Sequence, residues 1–202
     1  RSICAEVLTN TAVRIAEFDL PVRDAANPSY RAGVDDWHDA IAAVWKDTVL
    51  AELGPDGRVA LLVWGDPSLY DSTLRIAGRV GQSLPLTVRV VPGITSLQAL
   101  TASHAIPLND VGDPFIVTTG RQLRDHGWPA GVRTVAVMLD GECSFRAIPP
   151  ERVTIWWGAY VGMENELILS GPLSETAARI AARAAARDRH GWIMDIYILR
   201  RA

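Results

Sequence analysis

The sequence predicts an α/β fold with its ligand site at the carboxyl ends of strands, and three observations predict it. The first is a strand–turn–helix pattern that occurs twice. Residues 59–70 read V-A-L-L-V-W-G-D-P-S-L-Y, and residues 88–100 read V-R-V-V-P-G-I-T-S-L-Q-A-L. Each starts as an apolar, largely β-branched run, which suits a pleated, half-buried surface. Each then breaks at a turn containing Gly and Pro. Ligands of open α/β sheets bind outside the carboxyl ends of such strands. The site is therefore expected at Trp64, Gly65, Asp66 and Pro67, and at Pro92, Gly93, Ile94, Thr95 and Ser96. The second observation is a run of short strands in the second half with few helices, the pattern of a mixed or antiparallel sheet. The third is the stretch 106–114, I-P-L-N-D-V-G-D-P, whose two prolines and glycine oppose a continuous helix or strand. A domain boundary is placed there, giving domains 1–110 and 111–202.

In chain order, residues 1–10 read as a helix end with Ile3, Val7 and Leu8 on one side. Residues 12–18 alternate apolar Val13, Ile15 and Phe18 with polar neighbours, which predicts a short strand. A loop over 21–33 follows, and Asp35 is the expected N-cap of a helix carrying Trp37, Ile41, Val44, Trp45, Val49 and Leu53 at helical spacing. The G-P-D-G run at 54–57 ends it. Strands are expected at 59–63 and 87–91, and helices at 74–81 and 96–104. In the second half, strands are expected at 115–119, 134–139, 153–157, 166–170 and 192–199, with a short helix or turn at 121–126. Ser174 is the expected cap of an Ala- and Arg-rich helix over 175–188.

The chain has 202 residues, 49% hydrophobic, with a formal net charge of -3. That supports a sizeable core. It offers no broad basic field for a nucleic-acid backbone. Cys4 and Cys143 are far apart and lack metal-ligand spacing, so no disulfide framework is expected, and a reducing cytoplasm fits. No stretch reaches the ~18 apolar residues of a membrane span.

Gly65 permits unusual torsions, Asp66 puts a carboxylate at a strand end, and Pro67 stiffens the loop. A plain turn would use the same residues. Thr95 or Ser96 at a helix N-terminus is either a cap or part of a ligand cradle of N–H groups and hydroxyls. Two such turns at neighbouring strand ends favour a site over either turn alone.

V-W-G-D-P-S-L-Y, V-V-P-G-I-T-S-L-Q-A-L and A-I-P-L-N-D, in this order and spacing, resemble the tetrapyrrole methylase family, whose members act in the cobalamin and sirohaem pathways. Three further stretches are similar to its deacetylating branch: M-L-D-G-E at 138–142, W-W-G-A-Y-V-G at 156–162 and L-S-G-P-L at 169–173. The resemblance implies two α/β domains with S-adenosylmethionine folded into the cleft between them. It implies donor contacts at Trp64, Gly65, Asp66 and Leu69, at Thr95 and Ser96, and at Met138, Leu139, Gly158, Ala159 and Tyr160. It implies a cytoplasmic homodimer that methylates precorrin-5 at ring carbon one and releases acetate, with no metal. Other tetrapyrrole methylases, diphthine synthase and a non-catalytic donor-binding module are the alternatives. The family's opening strand and glycine-rich loop have no counterpart ahead of Arg1, so the first domain is expected to be incomplete at its start.

Water must attack the acetyl carbonyl, so a base is needed. Asp66 is the first candidate, followed by Glu142 and Tyr160, while His104 reads as a helix-end residue. Arg121, after Thr119 and Gly120 at a strand end, is the candidate for a substrate carboxylate, ahead of Arg124 and Arg133. Arg179, Arg183 and Arg187, at i, i+4 and i+8, read as a solvated face or a dimer contact. Trp156 and Trp157 read as core, or as flanks of a ring ligand.

Overall fold

The computed structural model describes residues 2–24, 26–54, 56–192 and 194–202. Arg1, Pro55 of the 54–57 turn, Ile193 of the 192–199 strand and the side chain of Ile3 lie outside the described residues. The chain divides into two compact units, 1–92 and 93–202.

The first unit holds α1 (Ser2–Val7), α2 (Tyr30–Leu53) and α3 (Thr73–Val80). α2 starts ahead of the expected Asp35 because Ser29 caps it, its hydroxyl accepting from Ala32 N at 3.3 Å. Gly54, at φ 68°, ends it in a conformation that favours glycine. Ile41 and Ala42 of α2 pack on Ile76 and Val80 of α3, flanked by Trp37, Trp45 and Leu84. Arg79 of α3 reaches across to Asp35 and Asp39 of α2.

The strands expected at 12–18, 59–63 and 87–91 do not form, and no β-strand occurs among the described residues of this unit. β-branched composition is only a preference, and a strand is fixed by the ladder its neighbour supplies. Segment 12–18 is held by side chains along α2 instead. Arg14 pairs with Glu52, and Phe18 meets Trp45 edge-on at 6.5 Å. The other two segments have no ladder partner and stay exposed, Leu62 at 81% and Val91 at 76%.

The second unit is a five-stranded mixed sheet in the order β1-β2-β5-β3-β4. Its strands are β1 (Phe115–Thr119), β2 (Thr134–Asp140), β3 (Val153–Ala159), β4 (Leu167–Pro172) and β5 (Asp195–Arg201). All five strands expected from the second half are present. β1 and β2 run parallel, and the other pairs are antiparallel. β2 and β5 are buried on both faces, which explains their nearly continuous apolar runs. One face carries Val135, Val137, Ile155, Trp157, Tyr197 and Leu199, packed with Phe145, Leu123, Leu173 and Ile180. The expected long helix is broken into α6 (Leu173–Arg179), a 3-10 turn (Ile180–Ala182) and α7 (Arg183–His190). Pro172, not Ser174, occupies the cap position of α6.

α4 (Ser96–Ser103) also belongs to this unit and packs on β3 and β5. Gly158 admits it: a Cβ there would lie 2.8 Å from Leu100 Cδ1 and 2.5 Å from Val161 Cγ2. His104, the C-cap of α4, has Nε2 3.1 Å from the Trp157 carbonyl oxygen. Glu166 accepts from Ser103 Oγ at 2.9 Å and from Gly162 N at 2.7 Å, tying the end of α4 to the loop after β3. Segment 106–114 has neither helix nor strand, as its prolines require. Arg200 of β5 fastens it, donating to the carbonyls of Pro107 at 3.0 Å and Leu108 at 2.9 Å while lying over the Trp156 ring.

Candidate active site

The sheet register gathers chemistry at one edge of the second unit. β1, β2 and β3 run in the same direction, so 119–121, 138–141 and 158–160 all lie at their carboxyl ends. β5 runs the other way, and its first residue, Asp195, stands between the ends of β2 and β3.

The end of β2 departs from regular strand geometry. Val137 pairs with Tyr197 and Asp140 with Asp195, so three residues of β2 advance against two of β5. This bulge leaves Leu139 without a register partner on β1 or β5. Leu139 adopts φ 55° and is 44% exposed. Tyr160, just past the end of β3, adopts φ 54°. Each left-handed non-glycine residue costs roughly 1–2 kcal/mol, and such residues persist where their surroundings over-determine them, often at ligand clamps. The ends of β2 and β3, with β5 between them, therefore each carry a left-handed turn at the same edge.

The buried polar residues behind this edge escaped the sequence reading. Asp195 is 1% exposed, pairs with Arg183, and accepts from Arg187 Nη2 at 3.0 Å. Arg183 Nη2 also donates to the Gly141 carbonyl oxygen at 3.0 Å. Burial pushes the Asp195 carboxyl up from its ordinary value, against the pull of Arg183 and Arg187. Arg183 and Arg187 are thus part of the scaffold under the β2 turn, not a solvated face; Arg179 remains exposed. Their spacing was visible in the sequence, but their buried acidic partner on β5 was not. Asp140 is the second such residue, 2% exposed and hydrogen-bonded within its own turn.

The other expected residues fall as follows. Thr95 is 8% exposed and caps α4, accepting from Leu97 N at 3.2 Å in a capping box with Gln98. Ser96 is the first residue of that helix. Gly158 and Ala159 end β3, and the Tyr160 side chain is buried with its hydroxyl donating to the Gly191 carbonyl. Glu142 is bound by Arg124, and Arg133 lies beside Asp110 and Asp113. Arg121 is exposed at the end of β1, next to the β2 turn. Trp157 is core at 1% exposure, and Trp156 lies under Arg200.

In the first unit, Gly65 adopts φ 82°, and Asp66 Oδ1 accepts from Ser68 N at 2.9 Å and Ser68 Oγ at 2.5 Å. Trp64 is 88% exposed, and Leu69 is half-buried with its N–H donating to the Asp66 carbonyl oxygen. This turn is built around an Asx hydrogen bond.

The chain belongs to the family described as Tetrapyrrole (Corrin/Porphyrin) Methylases, which it matches over residues 3–177. It is 49% identical over 204 aligned positions to a precorrin-6A synthase [deacetylating] of Sinorhizobium sp, covering 100% of this chain and 78% of that one. Among solved structures it is similar to a putative cobalamin synthesis related protein (CobF) from Corynebacterium diphtheriae, with TM-score 0.76 and 40% identity over 85% of this chain and 73% of that one. It shares its fold with a uroporphyrin-III-C-methyltransferase from Thermus thermophilus, with TM-score 0.56 and 21% identity over 81% of this chain and 68% of that one.

Proposed function

We propose that the chain is an S-adenosylmethionine-dependent C-methyltransferase of corrin-ring biosynthesis, which methylates precorrin-5 at ring carbon one and releases acetate to give precorrin-6A. The observation that carries the reading is the strand-end edge of the second unit, where Leu139 and Tyr160 turn out of the ladder in a member of this family. The 49% identity to a precorrin-6A synthase selects the reaction within the family.

The residues at the edge fit a donor of this kind. Leu139 offers an exposed apolar side chain beside its turned backbone, and Gly158 and Ala159 keep the end of β3 small. Met138, Leu139, Gly158, Ala159 and the backbone of Tyr160 are the proposed donor contacts, with Thr95 and Ser96 at the head of α4. Trp64, Gly65, Asp66 and Leu69 are proposed on the motif alone. When bound, the donor supplies a methyl group on a sulfonium, which leaves as a neutral thioether. The chain's own contribution to that displacement is alignment. Arg121 is the proposed partner of a substrate carboxylate.

Acetate release needs a water activated by a base. Asp66 is the candidate by its place in the G-D-P motif; Glu142 is engaged by Arg124 and the Tyr160 hydroxyl by Gly191. A homodimer in the cytoplasm completes the proposal. Among the described residues, no helix is long and apolar enough to cross a membrane.

The test is calorimetric titration with S-adenosylmethionine and its demethylated product, followed by turnover with precorrin-5 and detection of acetate. Donor binding with methyl transfer and one acetate per turnover is the expected outcome. A folded chain that binds no donor sinks the reading. Transfer to a different ring position without acetate moves it to another member of the family.

A further inference from the structure

We propose that Asp140 is a positioning residue for the methyl donor, holding Leu139 in its left-handed turn and so fixing the β2 side of the strand-end edge. The inference rests on the methyltransferase reading above. Asp140 accepts four hydrogen bonds. Oδ1 takes Glu142 N at 2.9 Å and Ser144 Oγ at 3.1 Å; Oδ2 takes Ser144 N at 2.7 Å and the Tyr197 hydroxyl at 2.7 Å. Three of these close the 140–144 turn on its own first residue. The fourth ties that residue to the central strand β5.

The packing leaves the carboxylate no alternative place. A Cβ on Gly120 would lie 2.5 Å from Asp140 Cγ, so the start of α5 (Gly120–His126) sits directly against it. Below the turn, Arg183 and Arg187 donate to the Gly141 carbonyl oxygen at 3.0 and 3.4 Å while holding Asp195. Leu139 is thus clamped between the regular ladder that ends before it and a turn fixed at both oxygens of the next residue. Relaxing its φ to strand values would carry Asp140 away from its four donors. A bulge beside a site commonly re-aims a side chain, and here it presents Leu139 outward.

The chemistry asks for a carboxylate. An amide keeps one acceptor oxygen and sets an NH2 group against the donors that the other oxygen had satisfied. Asp140, only 2% exposed, is too buried to meet the donor itself, so its effect passes through Leu139.

The experiment compares the wild-type chain with Asp140→Asn, Ser144→Ala and Tyr197→Phe. Affinity for the demethylated donor is measured by calorimetry, and KM and kcat are measured in turnover. Asp140→Asn is expected to weaken donor binding and raise the donor KM about tenfold, with kcat at saturating donor held within about twofold. Ser144→Ala and Tyr197→Phe, which each remove one of the four bonds, are expected to weaken donor binding by about two- to threefold. Variants that melt at lower temperature yet bind the donor with wild-type affinity overturn the inference. If Asp140→Asn does not fold, wild-type affinity in the two milder variants overturns it equally. A wild-type chain that binds no donor overturns the methyltransferase reading, and this inference with it, which separates the two failures.

Discussion

The two units treat similar sequences differently. In the first, V-A-L-L-V at 59–63 and T-V-R-V-V at 87–91 remain outside any ladder, with Leu62 and Val91 largely exposed. In the second, T-V-A-V-M-L-D and D-I-Y-I-L-R-R become β2 and β5, and Val135, Ala136, Val137, Ile198 and Leu199 are fully buried. Composition does not separate these runs. What separates them is a neighbour on each side: β2 lies between β1 and β5, and β5 between β2 and β3. A strand's stability resides in cross-strand pairs and in the layers over its faces, so an apolar run without them stays irregular.

The largest expected contrast is in hydrogen exchange. Amides of 59–63 and 87–91 should exchange near the rate of an open chain, while those of β5 should be slowed by about four powers of ten or more, the range set by global unfolding. Equal protection in both sets would show that the first unit's runs are paired strands, and the contrast would disappear.

Next in size is the buried charge cluster. Asp195→Ala strips the shared carboxylate from Arg183 and Arg187, whose side chains are only 14% and 15% exposed. Removing one partner of a buried pair costs about 3–5 kcal/mol. Denaturant unfolding should show that loss in the second unit, with slow-exchanging β5 amides affected and α2 amides unchanged. A loss below about 1 kcal/mol, the worth of a surface pair, would place the cluster at the surface energetically.

The smallest effect concerns the first unit and pH. His38 is 3% exposed, with Nε2 2.9 Å from Ser72 Oγ. Burial, and then the Arg79 guanidinium, push its imidazole below the ordinary value of 6.5. The unfolded chain therefore takes up the proton first. The stability from neutral His38 is complete above 6.5 and is lost as pH falls from there through the folded value. Protection of α2 amides should decline between about pH 7 and 5 in the wild type, and more shallowly in His38→Gln. Parallel slopes would assign the pH dependence to other groups.

Much of the candidate site was legible in linear order. The M-L-D-G-E and W-W-G-A-Y-V-G stretches combine a strand signal with a break, the G-D-P and P-G-I-T-S turns were legible as turns though the strands expected before them do not form, and residues 3–177 match the family. Short apolar runs bounded by turn residues also located the strands found among the described residues of the second unit, because each of those runs found partners. The helix over 175–188 was legible as helical, but its break at Ile180–Ala182 was not, since nothing in an Ala- and Arg-rich run marks a 3-10 turn.

By itself, the sequence determined which segments are apolar, where the chain must turn, and which family those turns belong to. These are local properties, written in residue type and spacing. Tertiary structure decided the rest. It paired Asp195 with Arg183 and Arg187, seated Asp140 against Gly120 and under the Tyr197 hydroxyl, and gave Leu139 at the end of β2 and Tyr160 just past β3 their left-handed turns. Pairings between residues far apart in the chain depend on strand order and register, and a bulge depends on the strand beside it. A single chain read in order contains neither.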